Sequence, residues 1–334
     1  MKFSYLLWIL TFCFGAPPSF AQQDSDPNAT MTLHVSTRLV LLDASVLNKK
    51  TGQRIGDLTL DDLSLSEDNQ PQKLTYLSTD RLPLSLVFLF DITETVHPIL
   101  KPLSAAAQQV LSHLHPDDEV AVMIFTSHTT LLQDFTTDHA LIEQAIAKAA
   151  NAPNVPQPTH IYQDVIEATH QSLHSTLPNS RRVQVWLTDG TANAESSTPT
   201  REAGDATTIK DQASQRLLHT DVVVSALIEH SGATDALSPF LLMHLGGRFG
   251  DIAHYADLTG GPVLHTSRSE VADRFAALLD AIRQRYTIGY KPTADHPPGT
   301  LCHLRLGLDP SFAKRHPDVS VKDLIVRARQ SYFR

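Results

Sequence analysis

In "VFLFDITETVHP", Val87 to Pro98, an apolar run stops at Asp91 and is followed by Thr93 and Thr95, so three oxygen-bearing side chains fall within five residues. Asp189, in "LTDG", ends a second apolar run in the same way. Carboxylate and hydroxyl oxygens are the donor set of a hard cation such as Mg²⁺ or Ca²⁺. Because the hydroxyls are neutral, a divalent ion held there keeps positive character and water-filled positions, and it attracts an external carboxylate. A plainer role also suits these residues, with Asp91 and Thr95 capping the next helix and Asp189 anchoring the turn before Gly190.

Parallel strands buried on both faces are the elements that can bring Asp91 and Asp189 together. Continuous apolar runs of that kind are Leu84–Phe90, Glu119–Phe125, Arg182–Leu187, Asp221–Ile228 and Gly261–His265. Amphipathic helical stripes alternate with them: Leu103, Ala107, Val110, Leu111 and Leu114; Leu141, Ile142, Ala145, Ile146 and Ala149; Val271, Phe275, Leu278, Leu279 and Ile282. The expected fold is therefore α/β, a doubly wound, mostly parallel sheet over residues 83–283. "FTSHTTLLQDF" is too short for a crossover helix after Phe125, so one edge strand is expected to be antiparallel. In such sheets ligands bind beyond the carboxyl ends of the strands, where strand order reverses, and this is where both aspartates fall.

The flanks, residues 30–80 and 284–334, carry short strand-like runs and turn signals such as "NKKTG" and "EDNQP". Each has few strands for a core of its own, so they are expected to pack together or against the central domain.

At this point the chain resembles the von Willebrand factor type A domain. That family builds a metal-ion-dependent adhesion site from D-x-S-x-S after the first strand, a threonine on a later loop, and an aspartate in a T-D-G or S-D-G turn. The matching stretches are "DITET", Thr159 in "QPTHIYQDVIEA", and "LTDG". The resemblance implies a divalent ion, Mg²⁺ or in its place Ca²⁺ or Mn²⁺, held by Asp91, Thr93, Thr95, Thr159 and Asp189. It further implies a partner protein that presents a carboxylate. This chain departs from the pattern where Thr replaces Ser twice, Glu94 stands in place of a small residue, and Gln157-Pro158 precede Thr159 instead of two glycines. Glu94 has one more reading, as an acid that occupies the metal edge and inhibits the site. The longer run from about residue 33 to 333 resembles the secreted proteins of this type abundant in acidobacteria, through "LVLLDASVLNKKTGQRIGDLTLDDLSLSEDNQPQKL", "YADLTGGPVLHTSRSEVADRFAALLDAIRQRYTIGYKP" and "VRARQSYF".

Residues 1–21 read as a signal peptide, with Lys2, the apolar stretch Tyr5–Gly15 and a small-x-small cleavage site ending at Ala21. The expectation is a secreted or periplasmic protein with no stable membrane span after cleavage, since the apolar run is well short of the roughly 20 residues a span needs. Losing Lys2 takes the formal charge from −9 to −10, which disfavours nucleic acid as a partner. Cys13 lies in the leader, so Cys302 is the mature chain's one cysteine, on a strand face with Leu304, Leu306 and Leu308, and an inert buried thiol is expected.

No G-x-S-x-G, G-x-G-x-x-G or P-loop pattern follows any strand, and the seventeen histidines are scattered without an H-E-x-x-H pair. "HLGGRFG" reads as a lead-in to a helix over Ile252–Leu258, and the polar stretch 190–208 as a surface loop running into a helix. The functional expectation is a non-enzymatic, adhesion-type interaction module. Its alternative is a metal-free scaffolding module of an envelope assembly. A metal-assisted hydrolase ranks behind both, with only Glu94 or His160 as a base beyond the ligands themselves.

Overall fold

The computed structural model describes residues 39–48, 54–79, 82–153, 159–189, 208–229 and 251–334. The leader, Gln157-Pro158, the loop 190–207 and "HLGGRFG" lie outside the described residues.

The first strands are β1 (Val40–Asn48), β2 (Leu63–Glu67), β3 (Gln70–Gln72) and β4 (Leu74–Ser78). The central domain then runs β5 (Leu84–Asp91), α1 (His97–Ala105), α2 (Ala107–Leu111), β6 (Glu119–Phe125), β7 (Thr129–Thr136), α3 (His139–Ala150), α4 (Ile161–Ser172), β8 (Arg181–Thr188), α5 (Ile209–Leu218), β9 (Val223–Glu229), α6 (Asp251–Thr259), β10 (Val263–Thr266) and α7 (Val271–Arg283). The last elements are β11 (Tyr286–Tyr290), β12 (Leu301–Leu308), α8 (Phe312–Arg315), β13 (Leu324–Ala328) and β14 (Ser331–Phe333).

The central sheet has the order β10-β9-β8-β5-β6-β7, parallel except for β7, which pairs antiparallel with β6 at the edge. Counted from β5 this is the doubly wound order 3-2-1-4-5-6, whose reversal lies between β5 and β8. Every residue of β5 is buried, which is why its sequence is continuously apolar instead of alternating. Its two faces feed two cores. Leu84, Leu86, Phe88 and Phe90 join the core under α1, α2, α3 and α7, where Phe88 meets Phe275 edge-on at 5.1 Å. Val87 and Leu89 join the opposite core, where Trp186 meets Phe125 at 5.0 Å and its indole donates to Gln184 Oε1 at 3.0 Å.

The stripe Leu103–Leu114 is not one helix. It breaks at Ala106 (φ −104°, ψ 13°), and Pro102 lies inside α1. Proline lacks an amide donor and its ring crowds the preceding turn, and α2 restarts the helix on the same apolar face.

Two further sheets hold the flanks, in the orders β13-β1-β11-β4 and β14-β12-β2-β3. Strands from both ends of the chain interleave around a third core that contains Leu42, Val46, Leu65, Tyr286, Ile288 and Phe312. Arginines join this module to the central domain. Arg181, the first residue of β8, grips Asp43 of β1 through two bonds of 2.5 and 3.1 Å. Arg285 donates to the Gly260 and Asp43 carbonyls at 2.8 and 3.0 Å, and Arg329 to those of Leu217 and Val222 at 3.2 and 3.1 Å. Gly260 (φ +78°) lets the chain pass close by: a Cβ there would lie 2.3 Å from the Ala328 carbonyl carbon. The module thus meets the amino-terminal end of β8 and the end of α6, and the carboxyl edge of the central sheet lies at the other end of its strands.

Candidate metal centre at the carboxyl edge

Asp91 is the last residue of β5 and is fully buried. Register places it opposite Phe125 of β6, and the Ile92 amide donates to the Phe125 carbonyl at 3.2 Å, so the chain leaves the sheet at this point. Residues 92–96 fold into a tight turn in which the Val96 and His97 amides donate to the Thr93 carbonyl at 3.1 and 2.8 Å. This turn brings both threonine hydroxyls back over the strand end.

The oxygens form a chain. Asp91 Oδ1 accepts from the Thr93 amide at 2.9 Å and from the Thr93 hydroxyl at 2.6 Å. Thr93 Oγ1 lies 3.3 Å from Thr95 Oγ1, which donates to Asp189 Oδ2 at 2.9 Å. On its other side Asp91 Oδ2 accepts from Thr188 Oγ1, the last residue of β8, at 2.8 Å. Asp91, Thr93, Thr95 and Asp189 are therefore gathered across the β5–β8 reversal. Thr159 is buried just before α4, and the next residue's amide donates to the Thr126 carbonyl at 3.3 Å, which anchors the loop to the end of β6, one strand away. Glu94 is exposed.

The capping role read for Asp91 and Thr95 does not hold. The residue at the N-cap of α1 is Val96, with no side-chain capping bond, and both oxygens turn instead to each other's neighbours. Asp91 needs partners where it is buried, and the turn supplies them before the helix begins.

Burial pushes the Asp91 carboxyl up to about 7; the bonds from Thr93 and Thr188 pull against this, and the charge of Asp189 adds to it. A cation binding here competes with a proton near neutral pH. Two contributors were not read from the sequence. Thr188 fixes the far oxygen of Asp91, and its signal was its place directly before Asp189 in "LTDG". Glu229 ends β9 next to β8, and its carboxyl is raised first by burial and further by Asp189, while Arg268 opposes. Its signal was an acid at the end of another apolar run, as at Asp91.

The donor set fits a hard cation. Neighbouring oxygens in an octahedral Mg²⁺ shell stand about 3 Å apart, given bonds of about 2.1 Å. The spacings of 2.6, 3.3 and 2.9 Å along Asp91, Thr93, Thr95 and Asp189 bracket that value.

No family model and no curated protein matches the chain. The solved structures it resembles include von Willebrand factor A domains. The vWF domain of the type V pili tip protein Mfa5 from Porphyromonas gingivalis aligns with 61% of this chain and 96% of that one, at 12% identity and a TM-score of 0.43. The conserved hypothetical protein BatB from Bacteroides thetaiotaomicron aligns over 60% and 97%, at 16% identity and 0.41. Proximal thread matrix protein 1 from the mussel byssus, in a structure with a zinc-occupied MIDAS motif, aligns over 66% of this chain, at 16% identity and 0.41, and the match spans 50% of that chain. Among the described residues no helix is long and apolar enough to cross a membrane.

Proposed function

We propose that this protein is a secreted or periplasmic, non-enzymatic interaction module that binds a partner protein's carboxylate through a divalent cation, Mg²⁺ in the first place. Asp91, Thr93, Thr95 and Asp189 would hold the ion, with Thr159 completing the shell. When bound, the ion supplies a positively charged, partly hydrated contact for an acidic side chain. The observation that carries this reading is the run of oxygens spaced for one hard cation at the β5–β8 reversal.

The residues divide the work. Asp91 contributes charge from a buried, fixed position, the turn 92–96 delivers two neutral oxygens, and Asp189 stands at the rim where a partner arrives. Five donors leave one position of an octahedral shell open, and an incoming carboxylate fills it. The non-enzymatic part is supported by the hydrogen bonds that tie Asp91, Thr93, Thr95, Thr188 and Asp189 to one another.

Titrating Mg²⁺ into the chelated protein by calorimetry tests the reading. The expected result is a heat that Asp91→Ala abolishes; no heat, or one that survives the substitution, sinks it. A second reading is favoured by the hydrogen bonds that close the oxygens on each other: a metal-free scaffolding module of an envelope assembly. A pull-down from envelope extract separates the two, since chelator releases the partner in the first reading and leaves it bound in the second.

A further inference from the structure

A second group of ligating side chains lies away from the carboxyl edge, in the flanking β module. One ligand atom each from Asp68, His296 and Cys302 lies within 4.8 Å of the other two. The three positions are held by different devices. Asp68 and Asn69 both adopt left-handed backbone (φ 48° and 65°), forming the two-residue turn between β2 and β3. Asp68 Oδ1 is fixed by the His303 amide at 3.0 Å, and its Oδ2 stands 3.5 Å from His296 Nε2. Cys302 is fully buried on β12, and His296 sits partly exposed in the connection between β11 and β12.

An independent observation lies beside them. Glu67 is only 2% exposed, and its Oε1 accepts from the Tyr332 and Tyr290 hydroxyls at 2.7 and 3.1 Å, while its Oε2 is buried with no hydrogen-bond partner among the described residues. Register puts this carboxylate on the same sheet face as Cys302: Glu67 pairs with Leu304, two residues along β12, and Cys302 pairs with Tyr332. Leaving a buried carboxylate oxygen unsatisfied is costly, and a cation next to the thiol relieves it.

We propose that Asp68, His296 and Cys302 form a second cation site, for a borderline-soft divalent ion of the zinc class, that clips the β11–β12 connection onto the β2–β3 turn. Sulfur and imidazole donors select Zn²⁺ over the Mg²⁺ expected at the carboxyl edge. Ligand atoms around tetrahedral Zn²⁺ stand about 3.3–3.8 Å apart, and His296 Nε2 and Asp68 Oδ2 already stand at 3.5 Å. On binding, the Cys302 S–H bond breaks, the proton leaves to solvent, and the sulfur's electron pair forms the metal bond. Thiolate, carboxylate and neutral imidazole then bind the ion, a water fills the fourth position, and Glu67 adds a third acidic group beside the two positive charges. Burial, with Glu67 and Asp68, raises the free thiol, which keeps it protonated and unreactive until a cation arrives.

The test is Co²⁺ alone, titrated into the reduced, chelator-treated full chain and followed by absorption. A thiolate-to-cobalt charge-transfer band is expected, displaced by Zn²⁺ and untouched by Mg²⁺. His296→Ala and Asp68→Asn, both on exposed turns, are expected to weaken the binding by about tenfold or more, and Cys302→Ser to remove the band. Asp91→Ala is expected to leave the band intact, so this site and the carboxyl-edge site fail separately. No band in the unsubstituted protein, or unchanged affinity in both His296→Ala and Asp68→Asn, overturns the proposal. Those two variants decide the matter even if Cys302→Ser does not fold.

Discussion

Half-buried Asp43 and fully buried Asp91 stand next to the same β8 strand, one at its start and the other at its end, and their carboxyls shift in opposite directions. Burial raises both. At Asp43 the Arg181 and Arg285 guanidiniums overcome it and hold the carboxyl below its usual range. At Asp91 only hydroxyls and an amide answer it, another carboxylate stands nearby, and the carboxyl rises to about 7. The base of the sheet is thus a region where charges are matched by the chain itself. At the carboxyl edge Asp91 has no guanidinium partner among the described residues, which separates a stabilising end from a candidate binding end.

The largest effect is expected from breaking the matched end. Arg181→Met leaves half-buried Asp43 without its bidentate partner, and urea unfolding should show a loss of about 2–3 kcal/mol. The Mg²⁺ heat of the folded fraction should persist. If stability is unchanged, Asp43 is solvated and the comparison fails at its base.

The unmatched end is expected to show in the pH dependence. Between its unfolded value of 3.8 and about 7, Asp91 keeps a proton in the folded protein that the unfolded chain has lost. In chelator, stability should therefore fall as pH rises through that window, by up to about 1.4 kcal/mol per unit from this group, and level off above it. Asp91→Asn should flatten the difference, so parallel unfolding curves for the two proteins would refute it. Mg²⁺ affinity should run the other way, weakening about tenfold for each unit below about 7 because the ion displaces the proton.

The smallest effect is expected at Glu94. Exposed on the turn, Glu94→Ala should change stability by no more than about 0.5 kcal/mol and leave the Mg²⁺ heat in place. A large tightening of cation binding would show instead that Glu94 visits the edge and competes for it.

The central sheet was legible because strands buried on both faces cannot hide their composition: "LSLVFLF" and "RVQVWL" have one physical reading, and the short hairpin after Phe125 forces an antiparallel edge. The residues at the strand ends followed from that, since doubly wound topology brings Asp91 and Asp189 to one reversal. Helix interruption at Ala106 was hidden, because periodicity registers only the apolar face, which α2 continues past the break. Thr188 and Glu229 were passed over because a polar residue at a strand end signals a turn as readily as a site. The grouping of Asp68, His296 and Cys302 had no local signal at all, being made by strand register across most of the chain.

The interleaving of the flanks has a kinetic consequence. β1 pairs with residues 286–290 and 324–328, each partner more than 240 positions further along the chain. Contacts of such long range are slow to form and expose the intermediate to edge-to-edge association. The strands of the central sheet lie between β1 and those partners, so the flanking sheets form only when chain from both sides of the central domain comes together.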